Sequence, residues 1–588
     1  MKKPAPPWAR FDNLVEGSAL RFARVERALV AMRHDEVAPV LDEVDRSTAE
    51  GAWAFGFVAY EAAAALDPVL TTQPPLADFP LAWFGICAAP TPVPVVGPGE
   101  HGSYLSGPWV SDWDADRHRD AVAAVRGCIA AGETYQANLT TRLRSSVSGD
   151  LVRLYGDLAL AQRGAHNAYL DLGRFVIASA SPELFFDLRH GRIRMRPMKG
   201  TAPRGRTLAE DEGAIARLRQ SEKERAENLM IVDLVRNDVA RVARTGSVSV
   251  DALFRAERFE TVHQLVSDVR ADVQSGAGLT DVFRALFPCG SVTGAPKHRT
   301  MELIRDLEDS PRGVYCGAIG IVAPPSAAYG ARFNVAIRTM VADRATMSAT
   351  YGAGGGITWD SQPDAEYAEL LLKAKVLHVP SLSFELLETM RHEAQVGLVS
   401  GSEHLARMRR SAAYFGFAFD LEAARAALRR RLAGVGEARV RLLNSRSGEL
   451  TIEVGALPAT DATPVRVCLD DEPIDSQDCW PHHKTTRREP YVARRAKYPW
   501  ADDVILVNER GHVTESSTAN LAVCIDGRWW TPPLDSGCLP GIERGRLLTE
   551  GELQERVLLP NDVQLADGLA LINSVRGWRD ATLAPAPL

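Results

Sequence analysis

Two pairs of carboxylates at helical spacing are the first residues in this chain whose arrangement could do chemistry. Glu224 and Glu227 stand three apart, and Glu366 and Glu369 repeat the arrangement with Lys373 one turn further on. Residues three apart on a helix share a face, so each pair would project its carboxylates together. A solvated helix face is the ordinary reading of one such pair; two pairs beside glycine-rich loops point instead to a site. If the four converged, each like-charge contact at about 4 Å would cost about 4 kcal/mol at an effective dielectric of about 20, so a cation or raised pKa values must compensate. No histidine or cysteine is placed to join them, and an all-oxygen site suits magnesium better than zinc. Bound magnesium would leave positions open for a carboxylate on a substrate.

These residues need elements to hold them. Helical periodicity runs through 212–244 and again through 364–378, which puts each acidic pair on a predicted helix. The pattern is helical from 112 through 128, then alternates strands with helices up to about residue 377. A Pro/Gly stretch over 90–108 reads as a loop. At 379–383, Val-Pro-Ser-Leu-Ser interrupts the helical run and is expected to link a domain of 1–378 to one of 384–588. Beyond it a strand is predicted over 384–390 and helices over 404–415 and 421–432, with strands and turns from 438. The usual domain-size prior suggests roughly three or four folding units.

The 588 residues carry a formal charge of −7, which argues against a general nucleic-acid binder. The start of the chain meets Pro4, Pro6 and Pro7 instead of a signal-length apolar segment, and no apolar stretch approaches the roughly twenty residues of a bilayer span. A soluble, cytoplasmic protein without membrane contact is expected. Eight cysteines lie scattered with no C-x-x-C pair, as buried thiols of a reducing compartment would.

From about 132 to 377 the chain resembles the chorismate-utilising enzymes, which include anthranilate, isochorismate and aminodeoxychorismate synthases. The likeness runs through Gly-Glu-Thr-Tyr-Gln-Ala-Asn-Leu at 132–139, Ser-Pro-Glu at 181–183, Arg-Pro-Met-Lys-Gly-Thr at 196–201, the first acidic helix, Pro-Cys-Gly-Ser-Val-Thr-Gly-Ala-Pro-Lys at 288–297, Ala-Ile-Arg-Thr at 336–339 and Gly-Ala-Gly-Gly-Gly-Ile at 352–357. It implies an α+β fold, a large β-sandwich with flanking helices. It also implies Mg2+ held chiefly by Glu227 and Glu369 with Glu224 and Glu366 close behind, and a substrate, chorismate, bound by Thr201, Arg338 and the backbone at Gly354 and Gly356. Lys199 stands where anthranilate synthases usually carry alanine and aminodeoxychorismate synthases carry lysine. An amine held beside a cation gives up its proton more readily and can act as a nucleophile. Lys199 would add at C2 of chorismate as the C4 hydroxyl leaves, ammonia would add at C4 and expel the lysine, and Glu183 matches the general acid for the departing hydroxyl. None of the cysteines lies in a G-x-C-x-G turn, so the ammonia is expected from a separate glutamine amidotransferase, or from free ammonia.

Two departures stand out: Gln264 replaces a histidine common in relatives, with His263 before it, and Ile321 stands where relatives often have a substrate-contacting tyrosine. Gly56 to Glu61 resembles a region where some members bind tryptophan, but a structural strand is the expected reading.

In the second half, Trp-Pro-His-His-Lys-Thr-Thr-Arg-Arg at 480–488 and a hairpin-like segment at 508–521 resemble the fold-type IV pyridoxal-phosphate enzymes, which include branched-chain and D-amino-acid aminotransferases and aminodeoxychorismate lyase. The resemblance implies a second α+β domain using pyridoxal 5'-phosphate. Lys484 would bind the cofactor covalently, Glu515 would pair with its ring nitrogen, and Arg407, the amides of Ile542 and Glu543, and Ser574 would hold its phosphate. Thr389 would assist elimination. The two halves together imply 4-aminobenzoate synthesis, a step toward folate, because the product of the first reaction is the substrate of the second; a homodimer through the C-terminal domain is expected. The rival expectations are an aminodeoxychorismate or anthranilate synthase joined to an amino-acid aminotransferase, and one half retained for ligand sensing or scaffolding.

Overall fold

The computed structural model describes residues 6–98, 102–377, 384–459 and 463–584, which form two compact units. One holds the described residues through Pro203 and from Ile215 to 377; the other holds Arg204–Ala214 and the described residues from 384 on. The first unit is not subdivided, because strands from the first hundred residues pair with strands far along the chain. Trp8–Asn13 pairs with His166–Asp171, and Trp53–Val58 with Ala318–Val322. The expected linker at 379–383 lies outside the described residues.

The first unit is a sandwich of an 11-stranded and a 10-stranded sheet. Phe22, Phe55, Phe57, Trp83 and Ile177 lie in the core between them. Helices His34–Ala49, Glu222–Ala240 and Leu279–Leu286 cover one sheet, and Leu151–Gln162 with Pro363–Ala374 cover the other. The helix predicted over 212–244 is two helices, Leu208–Gln220 and Glu222–Ala240. Ser221 breaks it: its hydroxyl accepts from the Glu224 N–H at 3.3 Å and caps the second helix. The helix predicted over 364–378 is Pro363–Ala374 with a following 3-10 turn, Lys375–Leu377; proline suits a first helical turn. The loop predicted over 90–108 contains two short strands, Thr91–Val93 and Tyr104–Ser106, because its backbone finds partners in Ser18–Phe22 and Gln136–Gly149. Trp53–Val58 is a fully buried strand paired on both sides, in keeping with a structural role.

A buried ion cluster ties this sandwich to the 3-10 turn Gly290–Val292. Arg312 donates to Glu308 at 2.6 and 3.0 Å and to the carbonyls of Val292 and Asn138, and Arg142 reaches Glu308 at 3.1 Å. Glu308→Ala would strand two buried guanidiniums, and breaking such a cluster costs about 3–5 kcal/mol. A urea midpoint lowered accordingly is the expected result; an unchanged midpoint would show that the cluster is dispensable.

The second unit packs Gly401–Phe415 and Leu421–Leu432 on a four-stranded sheet containing Leu386–Glu393, Ala438–Asn444 and Leu450–Gly455. A mixed eight-stranded sheet forms the rest. The hairpin expected at 508–521 lies earlier, with Asp503–Val507 pairing Val513–Ser516 across a turn that the Asn508 side chain closes by accepting from the Arg510 and His512 amides, while Asn520–Ile525 pairs with Gly568–Asn573. Arg204–Ala214 belongs here because Tyr414 donates to the Gly205 carbonyl at 2.7 Å and Arg204 lies 4.3 Å over the Tyr414 ring. All eight cysteines are free. Among the described residues no helix is long and apolar enough to cross a membrane.

Candidate active sites, one in each unit

In the first unit the capped helix Glu222–Ala240 presents Glu224 and Glu227, and Pro363–Ala374 presents Glu366, Glu369 and Lys373. Among the described residues no three carboxylate, imidazole or thiol groups converge at ligand distance. The two helices nonetheless feel each other. Burial raises the Glu227 carboxyl, and the charges of Glu224 and Glu366 push it the same way; burial raises Glu366 too, reinforced by Glu369. Burial also pushes on Glu369, but the Lys373 ammonium, 2.6 Å from it, brings that carboxyl below its usual range. Lys373 also donates to the Gly354 carbonyl at 2.8 Å. Glu227 and Glu366, both half-buried and raised, are oxygen donors of the kind a hard divalent cation takes, so the donor chemistry of this set suits magnesium although the groups do not stand as a closed cluster among the described residues.

Lys199 lies on Met198–Pro203, whose backbone turns through Gly200 at φ +93°, a conformation that favours glycine. A Cβ at Gly356 would sit 2.7 Å from the Lys199 ammonium and 3.0 Å from the Gln136 amide nitrogen, so glycine there leaves room for the amine. A Cβ at Gly354 would meet the Leu139 carbonyl at 2.2 Å. Among the described residues nothing hydrogen-bonds the Lys199 amine. Thr201 has an exposed side chain, and its amide donates to Glu224 at 3.1 Å. Arg338, at φ +52°, donates to the Lys373 carbonyl at 2.8 Å. Gln136, which the sequence marks only as part of a motif, is buried with both amide atoms unpartnered.

Glu183 is buried with one carboxylate oxygen unpartnered. Burial pushes its carboxyl up to about 7, against the opposing pull of Ser291 and Lys199. It therefore keeps a proton to give at pH values where an exposed glutamate has lost its own. Any reaction that draws on that proton is expected to slow as pH rises through about 7, the protonated acid being the active form. Glu183→Gln is expected to lose about a hundredfold or more in rate and that limb of the pH profile; initial rates across pH check both.

In the second unit a cavity of about 970 Å³ is lined by Thr389, His404, Arg407, Lys484, Glu515, Ile542 and Ser574, among others. Lys484 carries no hydrogen bond on its amine among the described residues; burial, with the charges of Arg407 and Arg488, brings it down to about 8. Burial pushes Glu515 up to about 7 despite the Leu539 amide, which donates to it at 3.1 Å. Arg407 clasps Glu388 through two nitrogens, at 2.9 and 2.6 Å, and donates to the Pro540 carbonyl. His404 joins the same carboxylate at 2.6 Å. Burial alone would raise Glu388, but Arg407 and His404 hold it down to about 2. This buried trio is visible only once strand and helix are placed together.

Ile542 and Glu543 open the helix Ile542–Thr549, whose first-turn amides have no intrahelical partner. A Cβ at Gly541 would meet the Asn520 side-chain oxygen at 1.9 Å, so that turn needs glycine. The Glu543 side chain turns to Arg546, at 2.7 Å. Ser574 sits in a turn closed by Asn573, which accepts from the amides of Val575 and Arg576. A guanidinium, a hydroxyl and a helix start with free amides on one cavity's lining, with an amine and a carboxyl on the same lining, fit pyridoxal phosphate.

Residues 99–378 match the family model of the chorismate binding enzyme, and 385–583 match that of amino-transferase class IV. The chain joins a chorismate-binding domain to a class IV aminotransferase domain. Glu183, Lys199, Arg338 and both acidic pairs fall in the chorismate-binding domain; Thr389, Arg407, Lys484, Glu515 and Ser574 fall in the aminotransferase domain. The chain is 39% identical over 303 residues, 51% of its own length and 64% of the relative's, to aminodeoxychorismate synthase component 1 of Salmonella typhimurium. It is 38% identical over 269 residues, 46% of its length and 53% of the relative's, to anthranilate synthase component 1 of Aquifex aeolicus. It thus spans less than two thirds of either relative. The crystal structure of anthranilate synthase component I from Streptococcus pneumoniae TIGR4 shares the fold, with a TM-score of 0.51 and 24% identity over 64% of this chain and 91% of that one. Both domains are of enzyme families.

Proposed function

We propose that the chorismate-binding domain aminates chorismate to 4-amino-4-deoxychorismate and that the aminotransferase domain expels pyruvate from it to give 4-aminobenzoate. The reading rests above all on Lys199, an amine with no hydrogen-bond partner among the described residues, held beside Gly356 and within the electrostatic reach of Glu183. Lys199 adds at C2 of the ring as Glu183 gives its proton to the departing C4 hydroxyl, which leaves as water. Ammonia then adds at C4 and the lysine is released. Glu224, Glu227, Glu366 and Glu369 would hold magnesium, which supplies positive charge for the substrate's carboxylate. Thr201, Arg338, Gly354 and Gly356 line the substrate's place.

In the second domain, bound pyridoxal phosphate supplies an electron sink. Lys484, Glu515, Arg407, Ser574 and the amides of Ile542 and Glu543 would bind it; Lys484 takes the proton from C4, and Thr389 stands by the leaving oxygen. A protein working in the cytoplasm, with ammonia from a separate amidotransferase and a pairing of two copies through the second domain, completes the reading. Chorismate, magnesium and ammonium given to the chain loaded with the cofactor should yield 4-aminobenzoate and pyruvate by mass spectrometry. Anthranilate as the product would overturn the proposal.

A further inference from the structure

Arg407 and Arg488 exert the strongest arginine pull on both Lys484 and Glu515, yet only Arg407 is answered by a carboxylate. Arg488 follows Lys484 by four residues and directly precedes the helix Glu489–Ala496. Its guanidinium lies 4.1 Å over the Tyr491 ring and donates to the Ser517 carbonyl. Among the described residues no carboxylate comes within ion-pair distance of it. Its neighbour Arg487 is taken up differently, stacked 4.3 Å over Trp480.

A half-buried guanidinium has five N–H donors, and here one carbonyl takes a single donor while the ring face offers none an acceptor in the plane. Arg488 lines the cavity, and a charged acceptor arriving there is the strongest partner its remaining donors could take. The carbonyl and the ring hold the side chain in place before any ligand arrives, so little ordering is left to be done on binding.

We propose that Arg488 receives an anionic oxygen at the Lys484 end of this cavity, supplied by the cofactor's ring or by a carboxylate of the substrate. The inference rests on Lys484 being the cofactor's attachment point. Arg407 gives three of its donors to Glu388 and the Pro540 carbonyl, so fewer remain open and Glu388 offsets part of its charge. Arg488 brings the uncancelled positive charge.

The test uses the full chain loaded with pyridoxal phosphate, as wild type, Arg488→Gln and Arg488→Met; the methionine keeps an apolar stem against Tyr491. Borohydride reduction and peptide mass report whether Lys484 is loaded. One arm records the visible absorbance without substrate, and the other the affinity for benzoate by calorimetry. A band shifted in the resting variants assigns the oxygen to the cofactor's ring. An unmoved band with benzoate affinity lowered about tenfold or more assigns it to a carboxylate. Loaded variants unchanged in both arms overturn the inference, and so does a variant that loads, absorbs and binds benzoate as wild type when its companion fails to fold. If wild type is loaded at a residue other than Lys484, the reading of the site fails instead, and the peptide mass says so.

Discussion

Lys199→Ala is expected to abolish the aminated product while leaving the second domain's bound-cofactor absorbance as it was. The alanine keeps the strand Met198–Pro203 and its pairing with Val262–Asp272, since only the side chain beyond Cβ is lost. The Lys199 carbonyl still accepts from Asn228 at 3.0 Å, so the acidic helix stays anchored to that strand. What disappears is the amine that fills the space a side chain at Gly356 would take. A covalent step without its nucleophile should slow by a factor on the order of 10³ or more, about 4 kcal/mol of barrier. Lys199→Arg gives the sharper comparison, because it keeps the charge beside Glu183 and loses the nucleophile. If the arginine variant still aminated chorismate at an undiminished rate, the lysine would be there for charge alone, and the covalent scheme would fall.

The carboxylate pairs were legible because helical spacing alone puts residues three apart on one face, and the structure has both pairs on helices. The break at Ser221 was not, because the flanking segments are both strong helix formers and a serine reads as a cap only when the next turn's amide is seen on it. Neither were the sheets. Ala137 pairs with Ile357 and Trp53 with Cys87, and nothing local in a strand names a partner so far away. The short strands in the Pro/Gly stretch are of the same kind, made by edges that the sequence does not reveal.

The candidate sites divide along similar lines. Lys199, Glu183 and Lys484 were reached through motifs, and the structure adds the reason each is poised: an unengaged amine, a buried acid, a second amine in an arginine-lined cavity. Gln136 and Glu388 carry no motif-level signal of their role. Their importance is a matter of what is missing or present around them, two unpartnered amide atoms in one case and three buried contacts from Arg407 and His404 in the other. The four carboxylates stand in two pairs on two helices, with the Lys373 ammonium on Glu369.

Lys484→Ala should leave amination intact and stop the chain at 4-amino-4-deoxychorismate. The argument turns on the state of that amine. Burial and the neighbouring charges of Arg407 and Arg488 bring it to about 8, so near neutral pH a sizeable fraction is uncharged and able both to attach a carbonyl compound and to take a proton. A surface lysine at its ordinary pKa would be almost wholly protonated there. The alanine variant should lose the visible absorbance of attached cofactor, and its pyruvate release should drop by about 10²-fold or more, the range for removing a positioned base. Because the two lysines belong to separate units, the aminated intermediate should accumulate at the rate at which wild type makes its final product, or faster. Mass spectrometry of the mixture over time decides it: pyruvate released undiminished by the variant would mean that the second unit's cavity has no part in the elimination.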